Sequence, residues 1–532
     1  MPRIASKNLA SFALFTAFLF AFAASPASRA QTTPNHVFFR VQIASTLPAP
    51  VSGRLLIFLK QGSGDSEVSV NEFRPGDTWV AAREIHDVAP GEYVEVNADE
   101  LAYPKPFSAL DAGTYEAQAM LDVDHTYNYS ALSPKDWISP VVALPSWTPG
   151  SAAEPLFTLD HQPPEDPRRT AAMSAAMAQA KAGVAQREEF ESPLLTRFWG
   201  HPMHIKAWVI LPPGYDDHAS GTYPTAYWTH GFGSDLDSAL RSGLSLRARM
   251  VDGKMPPMIW VMLDETLPEG THEFADSVNN GPWGAALTTE FIPYLEKKYR
   301  MDAKATGRLL NGHSSGGWAT LQLQVNYPSV FGGTWSTSPD PSDFHDFTGP
   351  DLYAANANVF HRPDGSPVPI FRDKGKVIAT FEQFTHLEDV LGPYGGQVSS
   401  FDWVFSPKGL NGAPEPMFDH QTGAVHPEVV AYWHDHYDLA HIVESHWAKQ
   451  GAILKGRIHV FVGTADTFYL DGAAHKFEVR LKALDADPHF TFIPDRTHFD
   501  LYGVGTDRQG LFDQIAAEMY AVARPGVDWK KK

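Results

Sequence analysis

The residues of this 532-residue chain with the most evident chemical potential surround Ser314. Ser314 is the centre of a G-x-S-x-G pattern that follows a short apolar run and precedes helix-forming residues at 319–324. This context predicts a strand, a sharp turn and a helix, in which the turn lifts the serine hydroxyl clear of the sheet. Glycine is needed at positions 312 and 316 because side chains there would collide with the neighbouring strand and helix. The pattern is weak alone, so its meaning depends on partner residues elsewhere.

A serine hydroxyl becomes a strong nucleophile when a base takes its proton and a third group orients that base. Asp466 follows a strand predicted over residues 457–463, and His498 follows the last strand, predicted over residues 489–493. Both loops lie at the carboxyl ends of strands, where open α/β sheets place their active sites. The chain order serine, acid, histidine is that of the α/β-hydrolases. We therefore predict a catalytic triad of Ser314, Asp466 and His498.

Rival candidates exist for the base and for the acid. His475 lies beyond the acid in a predicted helix, and His489 lies within or before the last strand. Asp471 and Asp495 are close to the predicted acid, but Asp466 follows its strand most directly.

The tetrahedral intermediate of acyl transfer needs two donors for its oxyanion. One is expected to be the N–H of Ser315, directly after the nucleophile. The other is expected after the strand predicted over residues 223–229, where His-Gly-Phe-Gly at 230–233 matches the H-G type of oxyanion loop. The N–H of Phe232 is the first choice and that of Gly233 the second. The residues predicted to contact substrate are Gly231, Gly233 and Trp283.

Three further features are open to a structural or a functional interpretation. Trp283 precedes a helix and either lines the substrate pocket or fixes the start of that helix. Residues 434–436, His-Asp-His, resemble a metal cluster, but such a run on an exposed turn rarely binds metal without other ligands. We predict no metal and no cofactor. Trp403, Trp433 and Trp447 form either an apolar binding wall or part of a core.

Two kinds of structural element are predicted to surround these residues. From residue 194, strands alternate with helices, which predicts a mostly parallel sheet covered by helices on both faces. Residues 340–450 lack that pattern and are predicted to be a loop-rich lid or binding cap. Residues 35–160 contain several short strands separated by turns, which favours an immunoglobulin-like β-sandwich. This sandwich is interpreted as an accessory domain, with a carbohydrate-binding module as the alternative.

The predicted organisation has four parts. They are a signal peptide at 1–30, an N-terminal β-sandwich domain at 31–162, a linker and helix at 163–195, and an α/β-hydrolase domain at 196–532 with its insertion at about 340–450. The signal peptide is predicted from two early basic residues, an apolar run at 9–24 and small residues before position 31. An uncleaved N-terminal anchor is the alternative. The expected location is the periplasm or the cell exterior, with no membrane association after signal cleavage.

The composition limits the possible functions. A formal net charge of -20 argues against nucleic acid or an anionic membrane as partner. The chain has no cysteine, which excludes disulfides, zinc-thiolate sites and a cysteine nucleophile. The expected partner is a small-molecule or glycan-linked ester, and the sequence does not predict the oligomeric state.

These motifs together resemble the esterase D and enterochelin-esterase-like branch of the α/β-hydrolases, over residues 195–525. The motifs that carry the resemblance are Leu-Pro-Pro-Gly-Tyr at 211–215, His-Gly-Phe-Gly at 230–233, Gly-Pro-Trp-Gly at 281–284, Gly-His-Ser-Ser-Gly-Gly at 312–317, Val-Gly-Thr-Ala-Asp at 462–466 and Thr-His at 497–498. The resemblance implies a metal-independent serine esterase with Ser314 as nucleophile. The long insertion departs from the compact members of that branch.

The sequence therefore predicts a secreted serine carboxylic-ester hydrolase that acts through an acyl-enzyme on Ser314. Siderophore, feruloyl and acetyl esters are all candidate substrates, and the aromatic insertion favours a bulky or aromatic one. An acyltransferase, which passes the acyl group to an acceptor other than water, is the first alternative. A peptidase and a catalytically inactive binding protein on a hydrolase scaffold are the others.

Overall fold

The computed structural model describes residues 36–150 and 155–531. The predicted signal peptide lies outside these ranges and stays a prediction. Within them, no helix combines the length and the apolar character that crossing a membrane requires.

An eight-stranded sheet is the framework of the C-terminal part of the chain. In chain order its strands are β1 Ala185–Glu191, β2 His204–Ile210, β3 Thr225–Thr229, β4 Ile259–Leu263, β5 Arg308–His313, β6 Gly333–Thr337, β7 Ile458–Gly463 and β8 His489–Ile493. Their spatial order is β1-β2-β4-β3-β5-β6-β7-β8. The pairs β1–β2 and β2–β4 are antiparallel and all the others are parallel. This is the mostly parallel sheet of the α/β-hydrolase fold, as predicted.

Helices cover both faces of this sheet. The α-helices of seven or more residues in this part are α1 Pro167–Gln179, α2 Pro193–Trp199, α3 Leu236–Val251, α4 Ile292–Lys298, α5 Ser315–Asn326, α6 Phe381–Leu391, α7 Gln397–Phe405, α8 Pro427–His436, α9 Leu439–Leu454, α10 Leu470–Ala483 and α11 Gly510–Ala523. Neighbouring residues of β2 show the two faces, because Trp208 packs with α1, α3 and α11 whereas Val209 packs with α2 and α4. Every residue of β3, β4 and β6 is buried, as expected for strands covered on both sides.

The N-terminal region consists of two sheets. One contains Phe38–Ile43, Tyr93–Asn97 and Leu156–Leu159, and the other contains Val51–Gln61, Trp79–Val88, Ala102–Tyr103, Gly113–Asp122, Trp137–Ile138 and Val142–Trp147. Buried side chains of both sheets, such as Phe39 and Ile57, belong to one hydrophobic cluster. A short helix, Tyr127–Ser130, follows the strand Gly113–Asp122. The assignment of this region to the immunoglobulin-like class stays a prediction.

The first strand of the eight-stranded sheet lies inside the segment that the sequence assigned to a linker and helix. β1 pairs antiparallel with β2 along its whole length, so the sheet begins at Ala185 rather than after residue 195. Ala185 and Glu188 of β1 are buried and Phe190 is partly buried, whereas the other four residues are exposed. The strand lies at the edge of the sheet. An edge strand with few buried positions does not show the apolar alternation that identifies a strand.

The insertion is more helical than its sequence predicted. It contains α6, α7, α8 and α9, together with a hairpin of Pro369–Asp373 and Lys376–Thr380. Its aromatic residues build a shared core with α5 and β7, and Trp433 is fully buried there. Frequent proline and glycine residues between short helices hide their periodicity from a sequence pattern.

Candidate active site

Ser314 occupies the turn between β5 and α5. Its backbone has φ +61° and ψ −127°, a conformation that a residue with a side chain seldom adopts. Such strain costs about 1–3 kcal/mol and persists where the surroundings enforce it. A Cβ on Gly312 would collide with the carbonyl of Gly316, and one on Gly316 would collide with the carbonyl of His230. The two glycines therefore permit the close packing that holds the strained serine, as the sequence predicted.

Asp466 and His498 lie on the loops after β7 and β8 and meet in the interior. Nδ1 of His498 is 3.0 Å from Oδ2 of Asp466, and the two side chains are 4% and 0% exposed. The His498 ring lies edge-on to Phe468, with 4.6 Å between centroids, and 4.3 Å from the ring of His313. The structure thus brings the predicted base and acid into a buried hydrogen-bonded pair.

The charge of the neighbouring imidazole and the hydrogen bonds around Asp466 decide its ionisation. Burial alone would raise the pKa of its carboxyl group, but the neighbouring His498 and the hydrogen bonds from His498 and the Phe468 N–H outweigh burial and lower it. Asp466 is therefore ionised at neutral pH. An ionised carboxylate on Nδ1 leaves Nε2 of His498 as the proton-accepting nitrogen, as general-base catalysis requires.

The rival residues have other partners. His475 stacks on Phe492 at 3.6 Å, and His489 stacks on His459 at 4.6 Å. Asp471 accepts a hydrogen bond from Arg372 at 2.6 Å, while the side chain of Asp495 is exposed to solvent. None of these contacts joins a rival to the pair of Asp466 and His498.

The glycine loop after β3 packs against the nucleophile. A Cβ on Gly231 would lie 2.9 Å from the Cβ and 3.6 Å from the Oγ of Ser314. His230 is buried beneath the loop, and its Nδ1 is 2.9 Å from the carbonyl oxygen of Gly231. Phe232 follows directly, whereas Gly233 lies against the backbone of Tyr129. The structure therefore brings Gly231 to Ser314, and it turns Gly233 and the Phe232 ring towards Tyr129 of the N-terminal region.

Ser315 is the first residue of α5. The N–H groups in the first turn of a helix have no acceptor within that helix, so they are available to an anion. Ser315 follows Ser314 in the chain and Phe232 follows Gly231, and Ser314 and Gly231 pack against each other. Both predicted oxyanion donors are therefore next in the chain to this contact.

A narrow, mainly apolar cavity opens beside Ser314. Its volume is about 30 Å³, which is room for about two water molecules. The residues that line it are Ser314, Asp340, Pro341, Phe347, Thr348, Ile370, Phe371, Phe381, Phe384, Gln397, Val398, Phe401, Phe468 and Leu470. Most of them belong to the insertion, which therefore forms the wall of the cavity.

The tryptophans that the sequence singled out do not line this cavity. Trp283 is 3% exposed, stacks on His272 at 3.6 Å and donates a hydrogen bond to the carbonyl of Asn280 at 2.8 Å. Its predicted contact with substrate is corrected to a packing role, because both its ring face and its N–H are already occupied. Trp433 is likewise a core residue, and Trp447 packs against the same core.

Asp340 is a site residue that the sequence reasoning missed. It follows β6, is 3% exposed and accepts a hydrogen bond from the Ser315 hydroxyl at 2.7 Å. Burial raises the pKa of Asp340 to about 6, although bonds from the two serines and the proximity of His498 oppose that rise. Its position at the carboxyl end of a parallel strand was the available signal, the same one that identified Asp466.

Among the residues that the structure describes, three groups of side chains have spacing that would suit a metal ion. They are His434 with Asp435 and His441, Asp343 with His345 and Asp438, and Asp122 with Asp124 and Asp136. The first group contains His434 and Asp435 of the run at 434–436, whereas the ring of His436 stacks on Tyr432. None of these residues lines the cavity at Ser314.

Comparison with known proteins identifies an esterase family. The family described as "Putative esterase" matches residues 200–482, a segment that contains Ser314 and Asp466 and ends before His498. The Esterase Rv1288 of Mycobacterium tuberculosis is 33% identical over 146 residues, which are 26% of this chain and 30% of that protein. An endo-1,4-beta-xylanase/feruloyl esterase of Xylanibacter ruminicola is 28% identical over 130 residues, 23% of this chain and 18% of that protein.

The chain thus spans less than a third of the length of these curated relatives. Among solved structures, the CE1 ferulic acid esterase AmCE1/Fae1A of Anaeromyces mucronatus is 16% identical, with a TM-score of 0.35 over 64% of this chain and 91% of that one. The family match extends over more than half of the 532 residues. The chain belongs to this esterase family.

Proposed function

We propose that the protein is a serine carboxylic-ester hydrolase of the esterase D and enterochelin-esterase-like branch. The observation that carries the proposal is the buried pair of His498 and Asp466, with Nδ1 and Oδ2 3.0 Å apart. The pair lies at the carboxyl ends of the strands, where Ser314 also occupies its strained turn. A buried histidine whose Nδ1 is bound by an ionised carboxylate is the arrangement that general-base activation of a serine requires.

The proposed reaction has two stages. Nε2 of His498 takes the proton of the Ser314 hydroxyl as Oγ attacks the ester carbonyl, and the protonated imidazole then gives that proton to the departing alkoxide. This leaves an alcohol and an acyl-enzyme on Ser314. Water then attacks the acyl-enzyme, with His498 again as base, and releases the carboxylic acid and the free serine. Asp466 orients the ring and stabilises the imidazolium.

The oxyanion of each tetrahedral intermediate is assigned to the N–H groups of Phe232 and Ser315. The contact of Gly231 with Ser314 supports this assignment, because it fixes the loop backbone beside the reacting oxygen. Donors held in place before the reaction stabilise the developing charge without reorganisation. Removing such a donor typically costs about 10²- to 10³-fold in kcat.

The cavity favours a short acyl group. Its volume of about 30 Å³ is well below the roughly 150 Å³ of a cavity that accepts a benzene ring. This favours an acetyl-sized group over the bulky or aromatic acyl group that the sequence favoured. The name of the Xylanibacter relative includes feruloyl esterase, so a feruloyl ester is the informative competitor.

The nucleophile is tested with purified protein and p-nitrophenyl acetate. Ser314→Ala should lower kcat/KM by at least about 10³-fold, because no other group replaces the serine oxygen. Ser329→Ala, which alters an exposed serine just after α5, is the matched control and should retain full activity. Undiminished turnover by Ser314→Ala would contradict the proposal.

The acyl preference is tested with acetyl, butyryl, octanoyl and feruloyl esters. The acetyl ester should give the highest kcat/KM, with a loss of about tenfold or more for each larger class, because the phenylalanine walls must move to admit it. A feruloyl ester hydrolysed faster than the acetyl ester would contradict the proposed acyl preference but not the proposed mechanism.

Export to the periplasm or the cell exterior is proposed from residues 1–30 alone. The support is the order of basic, apolar and small residues in that segment. Mass spectrometry of the protein recovered from a Gram-negative expression host should find an N-terminus close to Gln31. Recovery of the intact chain from the cytosol would contradict the proposed export.

A further inference from the structure

The short helix Tyr127–Ser130 of the N-terminal region reaches the loop that carries Phe232. The Tyr129 hydroxyl donates a hydrogen bond of 2.7 Å to the carbonyl oxygen of Ser234. The Tyr129 ring meets the Phe232 ring edge-on, with 4.7 Å between centroids and 68° between planes. One tyrosine therefore contacts the loop on both sides of Gly233.

These contacts affect the backbone conformation of the loop at Gly233. Gly233 has φ +75°, in the left-handed region, and a Cβ there would lie 3.4 Å from the carbonyl oxygen of Tyr129. A glycine with this freedom admits several backbone conformations unless neighbouring groups select one. The hydrogen bond to Ser234 and the ring on Phe232 select the conformation in which Gly231 lies against Ser314.

The helix that carries Tyr129 is itself firmly attached to the N-terminal sheets. The Asp122 carboxylate accepts hydrogen bonds from the N–H groups of Thr126 and Tyr127, at 3.1 and 2.9 Å. The ring of Tyr127 packs against Phe58 at 5.5 Å in a buried cluster. Tyr129 therefore projects from a rigid base rather than from a mobile loop.

The same helix also contacts the wall of the cavity. Nδ2 of Asn128 donates to the carbonyl oxygen of Glu388 in α6 at 3.2 Å. The Glu388 carboxyl group accepts the N–H groups of Gln397 and Val398, at 2.6 and 2.9 Å, and both of these residues line the cavity. Asn128 therefore contacts the helix behind the cavity wall, and the adjacent Tyr129 contacts the loop that carries Phe232.

We infer that Tyr129 is a positioning residue for the oxyanion loop, so that the N-terminal region is a working part of the esterase. This inference rests on the proposed function. Neither an accessory domain nor a carbohydrate-binding module requires such contacts with the loop. Because the loop acts on the oxyanion, and the oxyanion exists only in the transition state and the intermediate, Tyr129 affects kcat more than KM.

The test compares two tyrosine-to-phenylalanine variants of the full chain. Tyr129→Phe removes the hydrogen bond to Ser234 and keeps the ring on Phe232. Tyr115→Phe, the matched control, removes a hydrogen bond of 2.8 Å to the carbonyl of Asp111 within the N-terminal sheets. Each variant is assayed with p-nitrophenyl acetate, and its Tm is measured.

We expect kcat of Tyr129→Phe to fall about tenfold, less than the loss of a complete oxyanion donor, with KM within twofold of the wild type. Tyr115→Phe should keep both constants within twofold, although its Tm falls by a similar amount. Combining Tyr129→Phe with Phe232→Leu should give less than the product of the single effects, because both act on the same loop.

Wild-type kcat in Tyr129→Phe would overturn the inference, and so would an increase in KM alone. An equal fall of kcat in Tyr115→Phe would also overturn it, because the effect would then follow from stability. Ser314→Ala is measured first, since full activity in that variant would contradict the proposed function itself. Failure of the inference alone leaves that variant inactive and Tyr129→Phe fully active.

Discussion

Two buried carboxylates lie at the carboxyl ends of adjacent strands, and their environments differ. Asp466 after β7 is 0% exposed, binds His498 and has a lowered pKa. Asp340 after β6 is 3% exposed, binds the Ser315 hydroxyl and has a pKa raised to about 6. The two side chains are equally buried, so burial does not distinguish them. Their hydrogen-bond partners do.

The difference has a physical basis. An imidazole that becomes positively charged, together with backbone N–H groups, stabilises the ionised form of Asp466 more than burial destabilises it. Asp340 receives neutral hydroxyl donors, which do not compensate for its desolvation. The loop after β7 is therefore suited to supporting a charged base, and the loop after β6 to holding a carboxyl group that changes its ionisation near neutral pH.

The largest effect is expected from a substitution that breaks the pair of Asp466 and His498. Asp466→Asn should lower kcat by about 10³- to 10⁴-fold, because an amide on Nδ1 favours the wrong histidine tautomer. Asp340→Asn should change kcat by less than about tenfold, since that residue does not bind His498 in the structure. Steady-state kinetics at pH 8 make this comparison, with exposed Asp495→Asn as the control.

A loss of 10³-fold in Asp340→Asn, with an active Asp466→Asn, would reverse the assignment. The acid of the triad would then lie after β6 instead of β7.

The second expectation concerns stability as a function of pH. The folded-state pKa of Asp340 is about 6, against an ordinary value of 3.8, so the folded protein binds more protons between these values and loses stability as pH rises through them. Removing this carboxyl group should remove that loss, which amounts to ~3 kcal/mol for a shift of about two pKa units. Asp340→Asn should therefore gain Tm, relative to wild type, between pH 4 and pH 8.

The same measurement on Asp466→Asn should show the opposite trend. The pKa of Asp466 is lowered in the folded state, so its contribution to stability is present above the ordinary value of 3.8 and disappears as pH falls further. The variant should be destabilised at pH 8 and approach the wild type only in strong acid. Identical pH trends for the two variants would contradict the contrast between the carboxylates.

The three residues of the predicted triad could be identified from the sequence. Ser314, Asp466 and His498 were placed by a local motif and by strand ends, and the structure brings the last two into contact. The strand His489–Ile493 has the predicted bounds, because Phe490 and Phe492 alternate with polar residues.

The features that were missed depend on contacts between distant segments. The partners of Asp340, the burial of Trp283 and the approach of Tyr129 to Phe232 are all determined by packing, which leaves no periodic signal in the chain. The phenylalanines that line the cavity come from several elements of the insertion, so the sequence identified an aromatic region without its arrangement. The edge strand β1 was hidden for a related reason, because most of its side chains face solvent.

The activation of Ser314 by His498 is directly measurable. A fluorophosphonate probe reacts with serines activated in this way, and peptide mass spectrometry identifies the modified residue. If His498 activates Ser314, we expect a single stoichiometric label on Ser314, no label in Ser314→Ala, and labelling slowed by at least about 10³-fold in His498→Ala. A label on another residue, or equal labelling rates in wild type and His498→Ala, would contradict it.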